Sequence, residues 1–164
     1  MTHAEKEKIN LEKQQIEEGK FRFLRSTKKE IKQHKFTPLY HGFDVVFISG
    51  DTFCIGETKC RIDFTNKFFS FYGPFLEKNK LDAMIEHRNR MIIENPDRCF
   101  DTDQFQLIYF NFTKDGCLIY KLKTTNKDYV WVQRFLPKDN IEPDIKIWKT
   151  VTELSNPIEV IKYK

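Results

Sequence analysis

Asp44, Glu57 and Lys59 are the residues whose types and spacing carry the clearest chemistry in this chain. Asp44-Val45-Val46-Phe47-Ile48 is a short apolar run, Ser49-Gly50-Asp51 a turn, and Thr52 to Cys60 a second strand-like run. A Gly-Asp pair between two such runs is a two-residue hairpin loop, with glycine supplying positive φ. With Gly50 and Asp51 as the loop, Ser49 faces Thr52, Val46 faces Ile55 and Asp44 faces Glu57. The two carboxylates are then directly opposite, with Cβ atoms about 4.5–5.5 Å apart, and alternation sets Lys59 on the same face. The rest of the hairpin is largely apolar on both faces, which suits a strand pair inside a covered sheet. Two neighbouring acids there repel, and one pKa rises unless a cation lies between them. Asp44, Glu57 and the Thr58 carbonyl make a hard oxygen set suited to Mg²⁺ or Mn²⁺. Such an ion polarises a phosphate oxygen and acidifies bound water. Lys59 could orient or deprotonate that water and stabilise charge building on phosphorus. The reaction class implied is metal-dependent phosphodiester hydrolysis. The competing reading puts both acids at a solvent-exposed sheet end, with Lys59 an ordinary ion-pair partner worth little.

Asp44 followed by Glu57-Thr58-Lys59 resembles the D…(D/E)-x-K signature of the PD-(D/E)xK nuclease superfamily. The order of a helix, a hairpin bearing the signature, a helix and another strand is similar to the αβββαβ core of that superfamily over about residues 5–112. The resemblance implies a Mg²⁺-dependent nuclease, an endonuclease acting on DNA, with Asp44 and Glu57 binding the metal and Lys59 acting on the water. Phe43 stands where the signature often has proline. Some members add an acid from the first helix, which Glu17 or Glu18 could supply. Many carry a Gln or Lys on the helix after the signature, for which Lys80 is the candidate. A module that keeps the fold but binds nucleic acid or protein without cleaving is the alternative, and a purely structural protein a third.

Around these residues the chain divides into recognisable elements. Ala4 to Glu18 reads as a helix with a thin apolar stripe through Ile9 and Ile16, interrupted at Gly19, with a second helical stretch from about Arg22 to His34. Residues 62–74 form a Phe-rich connection in which Phe68, Phe69, Phe71 and Tyr72 either cover the core or stack on bases. A helix from about Phe75 to Ile92 keeps a 3.6-residue period through Leu81, Met84, Ile85 and Ile92. Strands follow at 105–112, 117–123 and 129–136, the first two joined at Asp115-Gly116, a type I′ turn signal. Ile145–Trp148 and Ile158–Ile161 could be short edge strands. The expected class is α/β (α+β): a central mixed sheet flanked by helices, with a C-terminal β meander, in one domain.

The chain has 164 residues, 28 Lys plus Arg against 24 Asp plus Glu, and 16 Phe among 15% aromatics. That length can bury a sizeable core, and the apolar content excludes wholesale disorder. No stretch is long and apolar enough to span a membrane, and the charged N-terminus argues against a secretory signal. Four cysteines without a C-x-x-C pair support neither a zinc ribbon nor a disulfide scaffold, and read as reduced thiols. His34, His41 and His87 lack metal-ligand spacing. The whole net charge of +4 comes from the first 35 residues. Arg22, Arg25, Lys28 and Lys29 there could track a phosphate backbone, as could Arg61, which alternates onto the Lys59 face. Lysine exceeds arginine 21 to 7, a bias that, with much Phe, Ile and Asn, fits an AT-rich genome such as a bacterium's or a phage's; the expected location is the cytoplasm of a bacterial cell or phage-infected host. DNA is the expected partner, with the strands after 117 setting substrate or homodimer contacts.

Overall fold

The computed structural model describes residues 1–39, 41–98, 101–139 and 141–163; Cys99 lies outside them. The first helix, α1 (His3–Thr27), opens with a capping box in which Thr2 Oγ1 accepts from the Glu5 amide and Glu5 Oε2 accepts from the Thr2 amide. It then runs through Gly19 without a break. A mid-helix glycine costs only about 1 kcal/mol, and burial of Phe21 and Leu24 downstream offsets that. The buried stripe is therefore Glu17, Phe21 and Leu24, while Ile9 and Ile16 are exposed.

The second helical stretch expected from Arg22 to His34 is helical only to Thr27, as the end of α1, and from Ile31 the chain forms β1 (Ile31–Phe36) instead. Its Lys-rich text favours helix locally, but pairing with β2 (Val45–Ser49) overrides that preference. β1 carries a register shift between Lys32 and Lys35, with Gln33 at φ 52°, and this irregular, charged strand forms one edge of the sheet. β2 and β3 (Thr52–Arg61) form the expected hairpin in the expected register, Ser49 to Thr52 through Val45 to Gly56. Gly50 sits at φ +60°, as a tight two-residue loop requires.

The Phe-rich connection contains a short helix, α2 (Asn66–Phe71), whose Phe69 enters the core while Phe68, Phe71 and the following Tyr72 stay exposed. β4 (Phe75–Glu77) precedes α3 (Lys78–Glu94), which carries the crossover to β5 (Phe105–Thr113). β5 lies parallel to β3, whereas the other neighbours in this sheet are antiparallel, so the sheet is mixed. Its order is β1-β2-β3-β5-β6-β9, with β6 at Gly116–Lys121 and β9 at Glu159–Lys162. α1 covers one face through Phe21 and Leu24 against Val45, Phe47 and Phe110. α3 covers the other through Leu81 and Met84 against Ile55, Leu107 and Tyr109.

The expected meander is corrected in two places. β7 (Val132–Pro137) does not join β6; it pairs with β8 (Lys146–Glu153), the middle strand of a second sheet of order β4-β8-β7. The edge of β6 is taken by β9 instead. The β5–β6 turn is Lys114-Asp115, because Phe112 pairs with Cys117, and Gly116 belongs to β6. Gly116 has no positive φ. Its role is close approach, since a Cβ there would lie 1.8 Å from the Ile161 carbonyl oxygen of β9. Among the described residues no helix is long and apolar enough to cross a membrane.

Gly116→Ala should accordingly destabilise the protein by more than about 2 kcal/mol. Urea denaturation checks it, and a variant as stable as the unmodified protein would show that β9 does not seat here.

Candidate active site

Three segments far apart in sequence meet where β2 stops. β2 begins only at Val45, whereas β3 continues to Arg61, so β3 from Glu57 onward has no β2 residue paired with it. Asp44 fills that gap. Its amide donates to the Gly56 carbonyl at 3.0 Å, and its Oδ2 accepts the Thr58 amide at 2.8 Å. A carboxylate thus stands where a strand carbonyl would have been. The carbonyl of a strand residue points to the same edge as its amide, so the Thr58 carbonyl also faces this notch.

α1 contributes Glu17. Thr58 Oγ1 lies 3.1 Å from Glu17 Oε2 and 3.2 Å from Asp44 Oδ2, and its single proton serves one of them at a time. Glu57, 1% exposed, points to the α3 face. Lys59 Nζ stands 3.6 Å and Lys80 Nζ 4.0 Å from Glu57 Oε1. Lys80 comes from the first turn of α3, and Lys13, one turn before Glu17, stands 3.9 Å from Glu17 Oε1. These cations approach without closing the shell: Glu57 Oε2 and Glu17 Oε1 are buried and have no hydrogen-bond partner.

The electrostatics follow from that crowding. Burial, and then the Asp44 charge, push the Glu57 carboxyl up to about 8, against the pull of Lys59 and Lys80. A hydrogen bond to Asp44 favours the protonated form further. Burial and Asp44 also raise Glu17, opposed by Lys13, Lys59 and the Thr58 hydroxyl. Burial works to lower the Lys59 ammonium, but Glu57, Tyr109, Asp44 and Glu77 outweigh it and the net shift is upward. Lys59 therefore stays charged.

The sequence-derived candidates sort clearly by position. Asp44, Glu57, Thr58, Lys59 and Lys80 come together, and of the two helix acids Glu17 joins them. Glu18 turns away to pair with Arg22 at 2.9 Å. Arg61 lies two residues beyond Lys59 and donates to Tyr109 Oη at 2.9 Å and Asn111 Oδ1 at 3.1 Å. Arg25 meets His34, Lys28 pairs with Glu30 and Glu159, and Lys29 is exposed. None of Arg22, Arg25, Lys28 and Lys29 reaches the notch. A cleft of about 180 Å³ beside it is lined by Lys13, Glu17, His41, Asp44 and Lys80. A second, of about 560 Å³, shares Lys13 and Lys80 and runs on between the two sheets past Lys59, Arg61, Lys138 and Lys149. Glu77 and Asp139 are its acids. Lys149 comes from the small sheet and Lys138 directly follows its strand β7, and no sequence signal marked them; Lys13 could have been found from its i,i+4 spacing to Glu17.

Among the described residues, no group of three or more His, Cys, Asp or Glu side chains is arranged to hold a metal ion by itself. The donors present still suit a hard divalent ion. Asp44, the unpartnered oxygen of Glu57 and the Thr58 carbonyl are all oxygen ligands, and Mg²⁺ commonly combines one or two carboxylates with water. Comparison with protein-family models, curated proteins and solved structures finds no match.

Metal-free stability should fall as pH rises. Glu57 titrates at its ordinary 4.5 when unfolded and near 8 when folded, so the folded state holds the extra proton between those values and loses that advantage as pH climbs through them. In chelator, Glu57→Gln should be the more stable protein at pH 8, by a few kcal/mol, and the two should converge toward pH 4.5. Urea denaturation across pH 5–9 measures this; parallel curves for the two proteins would refute it.

Proposed function

We propose that the protein is a Mg²⁺-dependent DNA nuclease of the PD-(D/E)xK type. The observation that carries the reading is the convergence of Asp44 and Glu57, with an orphaned buried carboxylate oxygen, beside Lys59 and Lys80, which also line a cleft holding six Lys or Arg against two acids. The order α1, β1, β2, β3, α3, β5, with α2 and β4 inserted between β3 and α3 and with β5 parallel to β3, agrees with an αβββαβ restriction-endonuclease-like core and supports it. So does the approach of Lys80 and Glu17 from the elements expected to supply auxiliary groups.

Asp44, Glu57 and the Thr58 carbonyl would hold the ion. When bound, it supplies charge neutralisation on the phosphate and an acidified water. The chain's own groups supply the rest. Lys59, held as an ammonium by the acids around it, is suited to orient the attacking water by hydrogen bonding and to stabilise negative charge on phosphorus; its raised pKa fits a donor rather than a base. Lys80, beside the same Glu57 oxygen, adds a second positive charge. The Thr58 amide fixes the Asp44 carboxylate, so its orientation is set before substrate arrives.

The test is cleavage of supercoiled, linear, single-stranded and branched DNA with Mg²⁺ or Mn²⁺, and with chelator. Metal-dependent cutting is expected, with losses on the order of 10²-fold or more for Glu57→Ala and Lys59→Ala. DNA binding without cutting of any substrate would leave a non-catalytic binding module instead.

A further inference from the structure

One guanidinium in the cleft has no carboxylate beside it. Arg61 is half-buried and lines the larger cleft. Its Nη1 is anchored from behind by Tyr109 Oη and Asn111 Oδ1, on residues that are 1% and 0% exposed. Among the described residues Arg61 forms no ion pair, and its Nε and Nη2 make no hydrogen bond. Two further buried polar atoms on the same face of the sheet, Asn111 Nδ2 and Tyr120 Oη, also lack a partner. Tyr120 lies opposite Tyr109 in the β5–β6 ladder. The guanidinium is held in place from behind, with its remaining N–H donors turned to the cleft and no carboxylate beside them. That free edge has the two-pronged geometry that fits phosphate.

Position narrows the ligand. Glu57, Lys59 and Arg61 alternate onto one face of β3, with successive members about 6.6 Å apart. Counted from Lys59, the group placed on the charge of the scissile phosphate, Arg61 is one such spacing away, of the order of one nucleotide step in an extended strand. We propose that Arg61, oriented by Tyr109 and Asn111, is a phosphate subsite for the phosphodiester adjacent to the one cleaved. This rests on the nuclease reading and adds a substrate requirement to it: a charged phosphate neighbouring the scissile one, on one side only. Arg61 is the binding group, and Tyr109 and Asn111 are positioning residues.

DNA oligonucleotides carrying a single neutral methylphosphonate at each position in turn provide the test. Cleavage is followed with Mg²⁺, and binding by fluorescence anisotropy with Ca²⁺. In the unmodified protein, neutralising the one adjacent phosphate should slow cutting, or weaken binding, about 10- to 100-fold. Arg61→Met should lose the same factor on the fully charged strand and be indifferent to that methylphosphonate, whereas Arg61→Lys should recover part of the loss. Tyr109→Phe should raise KM with little change in kcat. Should Arg61→Met fail to fold by circular dichroism, Arg61→Lys and Tyr109→Phe carry the comparison, each showing a smaller methylphosphonate penalty than the unmodified protein. An equal penalty in the unmodified protein and the variants, or no sensitive position at all, overturns the subsite while leaving the nuclease intact. Binding without cutting overturns the nuclease, and the subsite is then judged on the anisotropy scan alone. Absence of both binding and cutting overturns the two together.

Discussion

Burial of a carboxylate against a second carboxylate, with no cation within hydrogen-bond distance, is the constraint on which the site depends. Glu57 lies on the central hairpin, covered by α3, with Asp44 close enough to hydrogen-bond to it. A lone anion there would cost several kcal/mol and resolve itself by taking up a proton. Neighbouring groups offset this only partly. Lys59 and Lys80 stop at 3.6 and 4.0 Å, beyond hydrogen-bond distance, and the second Glu57 oxygen meets no donor. The fold thus holds a charge deficit that a divalent ion could fill. A stability-optimised protein would carry an apolar residue at position 57.

The notch exists because β2 is half the length of β3. Had β2 continued below Val45, its backbone would have paired with Thr58 and the carboxylate of Asp44 would have been carried to one face. Ending the strand lets the Asp44 side chain take over the role of a ladder carbonyl. Groups from both covered faces then reach one point: Glu17 from the α1 side, Glu57 and Lys59 from the α3 side. A site built this way draws on both hydrophobic cores for its rigidity, because each acid is fixed by the packing of a different helix or strand.

Much of this was legible in the sequence, and the gaps have physical causes. The β2–β3 register followed from two loop residues, since a two-residue turn leaves no freedom in pairing. The mixed sheet flanked by helices followed from the change of hydrophobic period. Residues 31–34 read as helix because lysine-rich text has helical propensity, and only pairing with β2 makes them part of a strand. β7 read as a neighbour of β6 because consecutive strands usually pair; the β6 edge instead belongs to β9 from the chain's end. Charge was misread for a related reason. The excess lies in the first 35 residues, yet the cations that line the cleft are Lys13, Lys59, Arg61, Lys80, Lys138 and Lys149, gathered by topology from across the chain. Net charge summed over a segment does not report where folding brings that charge.

The parallel pairing of β3 with β5, Phe53 to Phe105 through Arg61 to Thr113, has a kinetic consequence. Closing so long a loop is entropically expensive, so this contact forms late relative to the local β2–β3 hairpin. Lys80 lies within the loop being closed, the Tyr109–Asn111 support for Arg61 lies on its far side, and Glu17 must dock from the other end of the chain. A nascent or partly folded chain can therefore hold Asp44 and Glu57 in register and still lack an assembled site. Whatever chemistry the notch performs then waits on the pairing of β5 with β3 and the docking of α1 and α3, so the fold's topology acts as its own timing device.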